Sequence, residues 1–342
     1  MFLPPEVIHL IDLVTFDLDG VLIQNPFRRG VFPHVCRTLA PYVIAARGCS
    51  QGSHPRVHCM GGTGGIGDTS GTGARTDAGT RADLGAGTDV GSGNPTSSPP
   101  RDPDPEKIVL RLIIEEAKER LAKGRLVEAY DWDDIVTCVA ENLARKAQAG
   151  SPPPLDVAAL VRYYCGLPDM IALLPGAREA LSSLKQEGYT LGVVTNGYRR
   201  YQLPVLQALG IDGFFDAIVT PEEIRAAKPE ARIFQAAWGS SLTPLHVGDD
   251  PVHDVWGARS AGGYSVWLHR DLPEDLRCEL PEGRPRCGGF ASVRDKAYTG
   301  VLSVEAFGVP AEACVPHAVI ETLEELPELL RRLKARDALA NS

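Results

Sequence analysis

Two carboxylates with one residue between them, Asp17 and Asp19, stand where an apolar run ends: Leu10-Ile11-Asp12-Leu13-Val14-Thr15-Phe16 leads into Asp17-Leu18-Asp19-Gly20-Val21. The run reads as a buried strand and the glycine as the turn after it. Acids this close repel each other and resist desolvation, so the placement makes sense where a cation neutralises them or where one keeps a proton for chemistry. Both conditions suit metal-assisted phosphoryl transfer. Taken alone, the pair is equally well explained as a turn, because Asp and Gly are ordinary turn residues.

Three later segments put polar groups on the same kind of edge. In Tyr189-Thr190-Leu191-Gly192-Val193-Val194-Thr195-Asn196-Gly197 a β-forming run stops at a hydroxyl, an amide and a glycine. Such a strand end can hold phosphate oxygens, although Thr-Asn-Gly is also a common turn. In Ala227-Lys228-Pro229-Glu230 the proline is set to open a helix from Ala231 to Trp238, with Lys228 just outside it. Its ammonium could neutralise a phosphate or simply be solvated. Finally, Leu245-His246-Val247-Gly248 runs into the acidic loop Asp249-Asp250-Pro251-Val252-His253-Asp254 and a helix predicted from Val255 to Ala261. Mg²⁺ takes one or two protein carboxylates and keeps waters and substrate oxygens, so Asp249 or Asp250 could complete a site begun by Asp17. Helix capping is the other use of such acids, and it is expected of Asp254.

These four segments, in this order, resemble the motifs of the haloacid dehalogenase superfamily. Asp17-Leu18-Asp19-Gly20-Val21 looks like the first motif, Thr195-Asn196 the second, Lys228-Pro229 the third, and Gly248-Asp249 with Asp254 the fourth. The likeness covers residues 7 to 22 and 174 to 270, with a family-like ending at Pro316 to Leu333. One such motif arises easily by chance, four in order rarely. The resemblance implies that Asp17 is a nucleophile that becomes an aspartyl phosphate, with Asp19 as general acid and base. It further implies Mg²⁺ held by the Asp17 carboxylate, the Asp19 backbone carbonyl and Asp249, supported by Asp254 and Asp250. Thr195, Asn196 and Lys228 would bind the phosphoryl oxygens. Family members that displace halide from carbon lack the second acid of the first motif, so Asp19 argues for phosphate esters. The implied enzyme is a Mg²⁺-dependent phosphatase of a small phosphorylated metabolite. A phosphomutase or phosphotransferase of the same fold shares these residues and stays open, as does a noncatalytic protein that binds a partner through its Gly-rich tract.

Composition agrees with a globular enzyme. The chain of 342 residues is long enough for a sizeable core plus a second module. With 35 basic against 44 acidic residues it carries no electrostatic footprint for nucleic acid. No apolar run spans a bilayer and Met1 to Leu13 lacks signal-peptide character, so the expectation is a cytoplasmic protein without membrane partners. Nothing in the sequence specifies an oligomeric state.

The elements that must position these residues fall into two sets. Residues 1–24 and 172–342 read as an α/β core, a doubly wound, mostly parallel, Rossmann-like sheet with the strand ending at Asp17 at its centre. Residues 25–171 read as an inserted helical cap, with helices at Phe32 to Ala46 (interrupted by Pro33 or Pro41), Glu106 to Lys123, Asp131 to Ala147 and Leu155 to Cys165. The second presents Leu110, Ile113, Ile114, Ala117 and Leu121 on one face. Caps of this kind exclude water and contact the leaving group, so substrate choice is expected there. Inside it, residues 48–105 are so rich in Gly, Thr, Ser, Asp and Pro that disorder is expected. Cys49, His54, His58 and Cys59 have metal-like spacing but no apolar scaffold, so zinc is not expected. Gly62 to Gly67 matches a nucleotide-loop pattern without a flanking strand or helix, which rules against it. Residues 271–315 read as an irregular insertion with strand-like pieces, ahead of a last strand near Ala318 to Ile320 and a helix from Leu323 to Leu333.

Overall fold

A computed structural model of the chain describes residues 11–50, 103–299 and 307–340. Among these residues eight strands form: β1 (Leu13–Phe16), β2 (Ile23–Gln24), β3 (Ala172–Leu173), β4 (Thr190–Val194), β5 (Ala217–Val219), β6 (Leu245–Gly248), β7 (Tyr264–Leu268) and β8 (Ala318–Ile320). Six of them make one sheet in the order β5-β4-β1-β6-β7-β8, and every pairing is parallel. All four residues of β1 are buried, as a central strand covered on both faces must be. The chain lays β4 and then β5 on one side of β1 and crosses to place β6 on the other. That reversal leaves a crevice outside the carboxyl ends of the strands, beside β1.

The other two strands form an antiparallel pair, Ile23 opposite Leu173 and Gln24 opposite Ala172. They carry the chain out of the core and back. Between them lie α1 (Phe32–Ser50), α2 (Pro105–Ala122), α3 (Trp132–Lys146) and α4 (Val157–Cys165). The last three open on aspartates: Asp104 accepts from the Glu106 amide, Asp131 from Asp134 and Asp156 from Ala159. Leu39, Ile113, Ile135, Val136 and Val157 are fully buried among these helices. Burying each such side chain contributes roughly 1.5–3 kcal/mol relative to leaving it exposed.

Three expectations change in detail. Helix α1 runs on to Ser50 with Pro41 inside it. Pro33 is the second residue of α1, directly after the π-helical turn Phe27–Val31. On α2 the buried face is Val109, Ile113, Ala117 and Leu121, while Leu110 and Ile114 are only half-buried. Residues 271–315 are helical rather than strand-like where described, with helices Glu274–Arg277 and Phe290–Thr299. Phe290, Val293 and Ala297 recur at helical spacing and pack with Trp267, Leu276 and Val319, so tertiary burial decides their conformation.

After β3 come α5 (Ala177–Gln186), α6 (Arg199–Ala208), α7 (Pro221–Ile224) and α8 (Ala231–Trp238), and the last described helix is Glu325–Ala340. Residues 51–102, and with them His54, His58, Cys59 and the rejected nucleotide-loop pattern, lie outside the described residues. Among the described residues, no helix is long and apolar enough to cross a membrane.

Candidate active site

The parallel sheet aims the four singled-out segments at one place. Asp17 follows β1, and its amide donates to the Val247 carbonyl at 2.9 Å. Thr195 follows β4, with its amide on Val219 O at 3.3 Å. Asp249 follows β6, and Lys228 stands just before α8. Lys228 Nζ lies 2.7 Å from Asp17 Oδ1 and 2.7 Å from Asp254 Oδ1. Asp17, Asp249 and Asp254 offer carboxylate oxygens that all lie within 4.8 Å of one another.

Lys228 is held by backbone as well as by charge. The Asn196 amide spans its peptide, donating to Lys228 O at 3.1 Å and accepting from Lys228 N at 2.7 Å. The second and third segments are thereby locked together. The Thr195 hydroxyl oxygen accepts from the Gly197 amide at 3.1 Å. At 3% exposure a lone ammonium would be costly, and burial alone would lower its pKa; the charges of Asp17 and Asp254 outweigh burial and hold Lys228 above its ordinary value.

The acids divide in response to the same surroundings. Burial raises Asp17 to about 6 against the pull of Lys228. Burial also raises Asp249 well above its ordinary value, reinforced by the negative charges of Asp17 and Asp254. Burial works against Asp254 too, but Lys228 and His246 overcome it and hold this carboxyl well below the usual range. Asp19 is raised by burial, opposed by hydrogen bonds from Gln202 and Asn25.

Asp250 has a different place from the rest. Its carboxylate accepts from the Val252 and His253 amides at 2.8 and 2.7 Å, and it faces His253 Nδ1 at 3.2 Å. It therefore caps the π-helical turn Pro251–Trp256 that precedes the short helix Gly257–Ser260. The helical stretch thus starts at Pro251 rather than Val255, and the cap is Asp250 rather than Asp254, because the proline fits a first helical position. Asp254 is inside the turn and 1% exposed, with Oδ1 on Lys228 and on His246 Nε2 (3.1 Å) and Oδ2 accepting from the Asp250 amide at 2.9 Å.

Five residues at or beside the site escaped the sequence reading. His246 lies within β6; burial keeps it below its ordinary pKa, and Nδ1 meets the Thr15 hydroxyl at 3.0 Å. Arg270, just past β7, donates to the carbonyls of Gly20 and Val21 and ties down the turn after the paired acids. Asn25 and Gln202 both reach Asp19. Tyr130 comes from the helical module and brings its hydroxyl to 3.2 Å from His253 Nε2. His246 lies in a strand buried at every position, so no alternation marks it, and Asn25 sits in the turn after β2. Gln202 and Tyr130 are brought in by tertiary packing alone.

The carboxylate set fits a hard divalent cation. Its donors are all oxygens, and a cation would offset the burial and the mutual repulsion that together raise Asp17 and Asp249. Gly20 makes room for the Asp249 carboxylate: its φ is +84°, and a Cβ there would meet Asp249 Oδ2 at 2.4 Å. Asp254 already spends its oxygens on Lys228, His246 and the Asp250 amide, so Asp17 and Asp249 are the freer donors.

Several known proteins resemble parts of this chain. Haloacid dehalogenase-like hydrolase domain-containing protein 3 of Xenopus laevis is 38% identical over 115 residues, 32% of this chain and 47% of that protein. A glyceraldehyde 3-phosphate phosphatase of Methanothermobacter thermautotrophicus is 32% identical over 141 residues, 40% of this chain and 62% of its own length. The pyrimidine 5'-nucleotidase YjjG of Escherichia coli is 34% identical over 111 residues, 30% and 49% of the two chains. The chain thus spans about half the length of the curated relatives it matches. A family model matches far more, residues 11–262, which include the whole helical module and the strand tips that carry Asp17, Thr195 and Asp249. By that match the chain belongs to the haloacid dehalogenase-like hydrolases.

Proposed function

We propose that the protein is a Mg²⁺-dependent phosphatase of a small phosphorylated metabolite. The observation that carries this reading is Lys228, buried between Asp17 and Asp254 at 2.7 Å from each, beside a third acid, Asp249. A fixed cation next to clustered carboxylates at strand tips suits an anionic substrate and stabilises charge as it develops.

In the proposed reaction a carboxylate oxygen of Asp17 attacks phosphorus, the P–O bond to the leaving group breaks, and Asp19 gives its proton to the departing oxygen. Asp19 then takes a proton from water as that water attacks the aspartyl phosphate, releasing inorganic phosphate and restoring Asp17. Lys228, the Thr195 hydroxyl and N–H groups around Asn196 would meet the phosphoryl oxygens. Asp17, Asp249 and the Asp19 carbonyl would hold Mg²⁺, supported by Asp254 and by Asp250 in the loop. When bound, the ion neutralises the repulsion between an anionic nucleophile and an anionic phosphate.

The module of α1–α4 serves in this reading as a cap over residues 25–171, with the core formed by 1–24 and 172–342. Support comes from Tyr130, which reaches from the module to His253 beside the acidic loop. Relatives named as glyceraldehyde 3-phosphate and phosphoserine phosphatases, 32% and 35% identical over part of the chain, point to the same substrate class. The test is Asp17→Asn, assayed on a panel of phosphorylated metabolites with and without Mg²⁺, with circular dichroism to check the fold. Hydrolysis is expected to fall by at least ~10³-fold in a folded protein, as loss of a nucleophile requires. Undiminished turnover would overturn the assignment.

A further inference from the structure

The Asp19 side chain is held at both oxygens. Asn25 Nδ2 donates to Oδ1 at 2.6 Å and Gln202 Nε2 donates to Oδ2 at 2.7 Å. The two donors come from different parts of the chain, one from the turn after β2 and one from α6. Asn25 cannot turn its amide over without loss, because its Oδ1 accepts from the Phe27 amide at 3.0 Å. Gln202 is 2% exposed, and its Oε1 is buried without a partner among the described residues. An orphaned amide oxygen costs about 1–3 kcal/mol, so this arrangement needs a compensating use.

Gly197 is part of the same arrangement. A Cβ at that position would lie 2.0 Å from Gln202 Nε2 and 2.8 Å from Gln202 Cδ. The Gln202 side chain therefore passes directly over the Gly197 backbone on its way to Asp19. The glycine that closes Thr195-Asn196-Gly197 makes that path open.

We infer that Gln202 is a positioning residue for the proton-transfer carboxyl of Asp19, reaching it over Gly197 and working with Asn25. The inference rests on the proposed phosphatase reaction and extends it to residues outside the four motifs. Its content is geometric: with the Gln202 donor gone, Asp19 is held at one oxygen instead of two, and its rotamer is no longer fixed toward the departing oxygen.

The experiment compares kcat/KM for two esters in the full-length protein with Mg²⁺, because kcat/KM reports the steps up to formation of the aspartyl phosphate. Glycerol 2-phosphate expels an alkoxide that needs a proton, whereas 2,4-dinitrophenyl phosphate expels a stable phenolate that does not. General-acid catalysis contributes on the order of 10²–10⁴-fold, so Gln202→Met should lose at least ~10-fold more on the glycerol ester than on the dinitrophenyl ester. Gly197→Ala, which displaces Gln202, should give the same split; melting temperatures identify any variant that fails to fold. Equal losses on the two esters, or no loss, in folded variants would overturn the positioning role while leaving the phosphatase reading intact. A wild-type protein that hydrolyses neither ester would overturn that reading and this one with it.

Discussion

The strand tips around Asp17 and the helical module of α1–α4 are buried to similar depth by opposite means. At the tips, Asp17, Lys228, Asp254 and His246 are all nearly inaccessible, and each is matched to a named partner at 2.7–3.1 Å. In the module, Leu39, Ile113, Ile135 and Val157 are fully buried in an apolar cluster. Charges can be buried only as a matched set, because removing one leaves another uncompensated in a medium that solvates it poorly. Apolar packing has no such all-or-none character; it charges for lost volume. The two regions should therefore fail differently, and the failures are measurable.

The sharpest contrast is at Lys228. Lys228→Met keeps the chain length but leaves Asp17 and Asp254 without their cation. Stability is expected to fall by about 3–5 kcal/mol, as when one partner of a buried pair is removed. The double variant Lys228→Met with Asp254→Asn should recover part of that loss, because it removes the stranded charge. Denaturant unfolding of the single and double variants checks this. A double variant that is less stable than the single by the full cost of a second independent loss would break the idea of a matched set.

In the module the corresponding change is Ile113→Ala. Ile113 is fully buried among apolar side chains, so only transfer and cavity terms apply, about 2–5 kcal/mol. Ile113→Val should cost ~0.5–1.5 kcal/mol, a graded response that the strand tips should not show. At a temperature where both variants are folded, kcat for the test ester should match the unsubstituted protein. A drop in kcat with stability intact would mean that α2 is coupled to the site.

The contrast also explains what could be read from the sequence. The doubly wound sheet was legible because β1, β4 and β6 are short apolar runs that stop at Asp17, Thr195 and Asp249, and strand ends in such a sheet converge. The helix start at Asp131 was legible from local capping chemistry, whereas the helix read from Leu155 opens two residues later, on Asp156 as its cap. Gln202 was not, since its meeting with Asp19 depends on the path of α6 over Gly197 and on no local pattern. Tyr130 likewise needs the module folded against the core. The capping role of Asp250 was misassigned to Asp254 because two acids four residues apart bracket the same turn, and only burial separates them. In Phe290–Thr299 the β-forming residues Val293, Tyr298 and Thr299 obscured a helical spacing that the packing against Trp267 selects.

His317 separates charge burial from the site altogether. It sits just before β8, at the amino-terminal edge of the sheet and away from the strand tips. Its ring stacks on Tyr264 at 4.3 Å between centroids, and Nδ1 accepts from the Ser265 amide at 3.0 Å. That contact requires an unprotonated Nδ1. Burial, with the charge of Arg259 adding to it, lowers the His317 pKa to about 4. The unfolded chain takes up this proton near the ordinary value of about 6.5, so between roughly pH 6.5 and 4 it binds more protons than the folded protein. The stabilisation is complete above that window and is lost progressively as pH falls through it. His317→Gln removes the titration, so the difference in melting temperature between the unsubstituted protein and this variant should shrink from pH 7 to pH 4. Taking the difference cancels the carboxylates common to both proteins. Activity at pH 7 should be the same in both, unlike any change at Lys228. A difference that stays constant over the window would mean that His317 accepts its proton without cost, and that only the strand tips hold ionisable groups as a matched set.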